Sequence, residues 1–114
     1  MSSRIVSHRT PLSRRHYVRQ ATAWNHWFDF SASPVDWYRA RYGEEFCLVI
    51  NGSNSIDDAY IIPFAGAKMA FAPRAVDRRG RWVGTVIDGV LRLTRSGRFI
   101  HVRVFHNAFD LLGL

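Results

Sequence analysis

The chain reads as an α+β domain with two N-terminal helices and a mostly antiparallel sheet. That sheet ends in a three-stranded meander over 81–105, followed by a short C-terminal helix. Three observations predict this. Aromatic and apolar residues recur at helical spacing between 11 and 30, a proline-led cap opens a second helix at 33, and two tight turns divide an alternating apolar stretch after 81.

Each element has its own local reason. Thr10 can cap a helix with Pro11 at its first position, and Tyr17, Ala21, Trp24 and Phe28 recur at steps of four, three and four. The arginines in its first turns, Arg14, Arg15 and Arg19, have the wrong sign for the positive end of a helix dipole, a cost easier to understand if an anion answers them. Ser33-Pro34-Val35-Asp36 has the form of a capping box, with Gly43 as the stop, and Val35, Tyr38 and Tyr42 fall on one face. Glu45 to Ile50 reads as a strand and Ala59 to Ile62 as a shorter one, stopped by Pro63; 64–71 reads as a short helix weakened by Gly66.

The meander is solved from its turns. Asp88-Gly89 as a two-residue turn pairs Ile87 with Val90, Val86 with Leu91 and Thr85 with Arg92. Ser96-Gly97 as a second such turn pairs Leu93 with Ile100 and Arg92 with His101. Both registers place Trp82, Val86, Leu91, Leu93, Ile100, Val102 and Val104 on a core face, and Arg92, Phe99, His101, Arg103 and Phe105 on the other. A helix is expected over 107–112.

With 114 residues and 47% hydrophobic content, the chain is expected to form a single α+β domain over 11–114 after a flexible basic arm, 1–10. No apolar run reaches the roughly 18 residues of a membrane span, and the first residues lack the apolar stretch of a secretory leader. The lone cysteine, Cys47, sits in an apolar run and reads as a buried small hydrophobe. The cytosol is the expected compartment.

Charge is the strongest functional signal. Fifteen of the sixteen Lys and Arg residues are arginine, and the formal net charge is +7. The arginines gather at 1–20 and 74–103, while the acids lie mostly between. A GC-rich genome would favour arginine over lysine codons, but would not segregate the charges. Guanidinium forks match phosphate oxygens and stack on flat rings, so the expected partner is nucleic acid, DNA or RNA. The residues expected to meet it are Arg14, Arg15, Arg19, Arg74, Arg78, Arg79, Arg81, Arg92, His101 and Arg103.

Two other readings stand beside that binding module. RNA cleavage without a metal needs a base for the 2′-hydroxyl and cations for the phosphate; His101, Arg92 and Arg103 could supply these, with Glu44 or Glu45 as a distant base. A protein-interaction subunit, or a homodimer, could use the four Trp and eight Phe as an aromatic patch. No cofactor and no metal site is expected. Asp57-Asp58 reads as turn chemistry, His106-Asn107 as a very weak nuclease likeness, and His8, His16 and His26 as surface residues without zinc-ligand spacing.

Overall fold

The computed structural model describes residues 16–21, 26–52 and 58–112, so the expected basic arm, Arg14 and Arg15 lie outside the described residues. Two sheets share one core. The first has the order β1 (His16–Gln20), β3 (Cys47–Asn51), β4 (Ala59–Pro63), with β1 parallel and β4 antiparallel to β3. The second is antiparallel throughout, in the order β2 (Phe28–Ser31), β5 (Arg81–Ile87), β6 (Val90–Leu93), β7 (Phe99–His101). Helix α1 (Ala32–Tyr42) follows β2 directly, and α2 (Phe64–Ala67) is a single turn after β4. No helix among the described residues is long and apolar enough to cross a membrane.

The expected architecture is therefore overturned: among the described residues, seven strands in two sheets and one full-length helix replace two N-terminal helices and a single sheet. Within 11–30, the described residues hold β1 and the start of β2 and no helix. A step of four residues is even, so Tyr17/Ala21 and Trp24/Phe28 fit an alternating strand as well as a helix face. Among the spacings, only the three-residue step from Ala21 to Trp24 distinguishes helix from strand, and Trp24, like the Thr10-Pro11 cap, lies outside the described residues. Phe28 and Phe30 are buried while Asp29 and Ser31, which alternate with them, are only partly so, the period-two signature of a strand.

Other departures have local causes. Helix α1 starts at Ala32 with Ser31 in the cap position, two residues before the expected cap, because the Ala32 N–H is already satisfied by the Gly80 carbonyl at 2.8 Å. Gly43 does end it, at φ 66°, with its N–H on the Arg39 carbonyl. The Asp88-Gly89 register is the expected one, with both turn residues at positive φ. The second turn is longer than two residues: Gly97 N–H reaches the Leu93 carbonyl, and Arg92 faces Phe99 instead of His101. That slip of two residues preserves the faces but exhausts β6 by His101. Residues Arg103–Phe105 have no strand left to pair with and turn into a 3₁₀ helix, leaving Val104 79% exposed rather than in the core. The expected final helix is a 3₁₀ turn, Phe109–Leu112, which follows Asn107 at φ 55°.

The shared core lies between Phe28, Phe30, Trp82, Val86, Leu91 and Leu93 of the second sheet and Leu48, Ile50 and Ile62 of the first, with Phe64 of α2 beside them. Val35 of α1 closes one side. Gly84 sits where a Cβ would overlap the Arg92 carbonyl oxygen and approach the Phe28 ring to 3.1 Å, so close β2–β5–β6 packing requires glycine there. Strand β3 is buried along its whole length. Its outer face, Cys47 and Val49, packs with Ala59 and Ile61 under Val18 and Phe109. Asp29 ties the sheets together on the other side, receiving Arg19 Nη2 at 2.8 Å and Arg81 Nη1 at 3.0 Å.

Leu91 and Leu93 are 0% and 1% exposed, whereas Arg92 between them is exposed. Leu93→Ala should lower unfolding free energy by about 2–5 kcal/mol, while Arg92→Ala leaves it nearly unchanged. Chemical denaturation of both variants checks the assignment of faces.

His16 is 1% exposed and neither ring nitrogen has a hydrogen-bond partner among the described residues. Burial pushes its imidazole below the ordinary 6.5. The unfolded chain therefore takes up this proton at a pH where the folded one resists it, and stability falls as pH drops below 6.5. His16→Leu should have a shallower loss of stability between pH 7.5 and 5 than the parent. Equal slopes in denaturation series would show that His16 carries no such linkage.

Candidate functional site

Three strand ends meet at one rim of the molecule. His26 precedes β2, Asp58 precedes β4, and His106 follows the 3₁₀ turn after β7. The Asp58 carboxylate joins the two histidines: His26 Nε2 lies 2.7 Å from Oδ2 and His106 Nε2 lies 2.7 Å from Oδ1. Burial alone would raise the Asp58 carboxyl. The hydrogen bonds from His106 and His26, with their charges, outweigh it and hold the group below its ordinary value. An ionised carboxylate only accepts, so both Nε2 atoms carry hydrogen, and the neutral form of either ring has its lone pair on Nδ1. The Nδ1 of His26 is buried without a partner among the described residues, whereas the His106 side chain is 41% exposed.

Tyr60 packs against both rings, edge-on to His26 at 5.5 Å and tilted on His106 at 4.8 Å between centroids. Burial raises its phenol, the Asp58 charge raises it further and Arg103 opposes both, so it remains a hydroxyl donor at neutral pH. Beside these groups opens a cleft of about 430 Å³, bounded also by Ile87, Gly89 and Arg103. That volume falls within the range of small-ligand sites. Arg103 donates Nη2 to the Asp88 carbonyl at 2.8 Å, and its stem lies over Gly89, where a Cβ would come within 2.9 Å of it. The Asp88-Gly89 turn thus aims the guanidinium at the cleft.

His106 is held by its neighbour. Asn107 N–H donates to the Ala59 carbonyl at 2.6 Å and Asn107 Oδ1 accepts from Ala59 N–H at 2.9 Å, clamping the C-terminal segment to β4 beside a Tyr60–His106 bridge. Three described non-glycine residues have positive φ: His26 at 49°, Asp88 at 53° and Asn107 at 55°. All three belong to this rim. Backbone in the left-handed region costs free energy and concentrates at functional sites.

Arg19 and Arg81 are engaged internally, Arg19 on Asp29 and Arg81 on Asp29 and Asp77. Arg74, Arg78 and Arg79 are exposed. Arg92 lies over the exposed Phe99 ring at 5.0 Å, and His101 meets that ring edge-on at 5.8 Å with no hydrogen bond to a described residue. Arg103 lies past the end of β7, as the first residue of the 3₁₀ turn, and borders the cleft instead of pairing beside Arg92 and His101. Glu44 pairs with Lys68. Among the described residues, no three His, Cys, Asp or Glu side chains group as a metal site. The exposed large apolar residues, Trp27, Trp37, Met69, Phe99 and Val104 among them, are scattered over different elements.

Sequence reasoning weighed Asp58, His26 and His106 singly and assigned each a bland role. The available signal was position: each flanks an apolar segment at an end that the topology brings to one rim. No family model, curated protein or solved structure matches the chain.

The paired histidines make a testable claim about Asp58. Its carboxyl carbon should titrate below 3.8 in an NMR pH series, and His26→Asn or His106→Asn should each move that midpoint upward. A midpoint at or above 3.8 in the parent would show that the two hydrogen bonds do not form in solution.

Proposed function

We propose that this chain is a nucleic-acid-binding protein that holds phosphates through arginines at one end of its four-stranded sheet. The observation that carries this reading is a local excess of free positive charge. Arg74, Arg78, Arg79 and Arg95 are exposed, and their side chains engage no other described residue. The loop 73–80 leads into the start of β5, and Arg95 lies in the turn after β6, so these cations share one end of the antiparallel sheet. The nearby acids cannot neutralise them, because Asp29 and Asp77 are already engaged by Arg19 and Arg81. Uncompensated guanidinium groups projecting into solvent attract a polyanion and bind its phosphates in a forked geometry.

The adjoining surface suits the same partner. Arg92 over Phe99, with His101 at the ring edge, presents a flat cationic and aromatic platform on which an unpaired base can stack. Cys47, buried with its thiol pushed up to about 11, suits a reducing compartment, and we place the protein in the cytosol.

The test is salt dependence. Affinity for a single-stranded oligonucleotide should fall steeply with salt, and replacing Arg78, Arg79 and Arg95 together by alanine should flatten the log–log slope by about one unit per lost contact. Arg81→Ala should chiefly lower stability, since it strips a partner from Asp29 and Asp77. A slope near zero in the parent protein would sink the reading.

A further inference from the structure

We propose that the His26–Asp58–His106 cleft is a metal-independent acid/base site that cleaves RNA by attack of a 2′-hydroxyl, with His106 as base, Tyr60 as proton donor and Arg103 as phosphate clamp. The substrate class rests on the nucleic-acid reading above; the site rests on its own geometry.

His106 is the catalytic imidazole because it alone of the pair is open. Its Nε2–H is tied to Asp58, its ring is partly exposed at the cleft, and its remaining nitrogen carries the lone pair a base needs. Asp58 fixes the ring and steadies the imidazolium that forms, the part a buried carboxylate plays beside a histidine in acyl transfer. His26 is a positioning residue. Its Nδ1 is closed off from solvent, and its Nε2–H holds the second Asp58 oxygen so that the first points at His106. The Arg103 donors not engaged by the Asp88 carbonyl are free to take a phosphate oxygen.

The reaction closes without any added reagent. His106 Nδ1 removes the 2′-hydroxyl proton, and the 2′-oxygen bonds to the adjacent phosphorus while the bond from phosphorus to the 5′-oxygen breaks. The Tyr60 hydroxyl gives its proton to the departing 5′-oxygen, and the proton on His106 restores the phenol. The products are a 2′,3′-cyclic phosphate and a 5′-hydroxyl. Arg103 holds the negative charge that grows on the phosphoryl oxygens.

The sheet offers a path to this cleft. Ile87, Val90 and His101 lie in one row across three strands, and Ile87 borders the cleft. The free arginines sit at the opposite end of β5, seven residues or about 20 Å away. A strand held there and stacked on Phe99 would run along β6 and β7 to the rim.

Two substrates test the proposal: a single-stranded RNA, and 2-hydroxypropyl 4-nitrophenyl phosphate, whose leaving group needs no proton. The full chain should cleave both, leave a cyclic phosphate on the RNA, and spare an all-deoxy strand. His106→Ala should lose at least about a hundredfold on both substrates, with its denaturation midpoint retained. Tyr60→Phe should lose a comparable factor on RNA and little on the nitrophenyl ester, a split that misfolding cannot produce. His26→Asn should lower kcat on the nitrophenyl ester with KM kept. Failure of the unaltered protein to cleave either substrate, cleavage indifferent to His106, or cleavage abolished by EDTA each overturns the site. RNA bound in a salt-dependent way but never cut would remove the chemistry and leave the binding protein. Cleavage of the nitrophenyl ester without salt-dependent RNA binding would do the reverse.

Discussion

Strand β3 has no face and no edge on solvent, and much of the molecule follows from that. Cys47 to Asn51 are all buried, with β1 on one edge and β4 on the other. Leu48 and Ile50 look into the core shared with the second sheet, while Cys47 and Val49 look the other way and need a cover of their own. Phe109 supplies part of it. Bringing Phe109 across the outer face obliges the chain after β7 to leave its sheet and cross to β4. Asn107 secures that crossing by mimicking a strand partner to Ala59. His106 precedes Asn107 and therefore arrives beside Asp58, the residue before Ala59. The juxtaposition of the two is a consequence of closing the hydrophobic layer over β3, where each buried large side chain contributes roughly 1.5–3 kcal/mol.

Electrostatics then divides the arginines into two populations. Arg19 and Arg81 converge on Asp29, joining β1 of one sheet to β2 and β5 of the other, and Arg81 also braces the 77–81 turn through Asp77. Arg81 is the more buried of the two, and its loss would leave Asp29 and Asp77 each short of a partner. The arginines of the 73–80 loop and the 94–98 turn have no such duty among the described residues, Arg98 excepted, which donates to the Met69 carbonyl. Net charge thus understates the asymmetry. Asp29, Asp58 and Asp77 are engaged by neighbouring side chains, while the exposed Arg74, Arg78, Arg79 and Arg95 stand at one end of the second sheet.

How much of this was legible in the sequence depends on how local the signal was. The Asp88-Gly89 turn set its register through two positive-φ residues, and the in/out alternation of Trp82, Val86, Leu91 and Leu93 followed from it. Ser96-Gly97 misled by two residues because Ser96 and Gly97 fit a longer turn equally well; alternation survives an even slip, so the faces stood while the pairs changed. The N-terminal helix failed for a related reason, since four-residue spacing is common to helix faces and strands. His26, Asp58 and His106 are separated by 32 and 48 residues, and nothing local marks them as partners. Sequence arithmetic can place a side chain on a face of its own strand but cannot say which strand ends will share a rim.

The backbone at that rim is held in conformations that residues other than glycine rarely adopt. A fold free to relax would put glycine where φ is positive, as it does at Gly43, Gly80, Gly89 and Gly97. At His26, Asp88 and Asn107 it keeps polar side chains instead, each at a position where an L-residue is strained. For Asp88 and Asn107 the side-chain types tolerate the conformation and the local hydrogen bonds explain them. Histidine at φ 49° has a weaker local excuse. Its ring is locked by Asp58 on one nitrogen and buried on the other, packed edge-on to Tyr60. The strain at His26 is offset by fixing Asp58, and a fixed Asp58 is what gives His106 a single orientation toward the cleft.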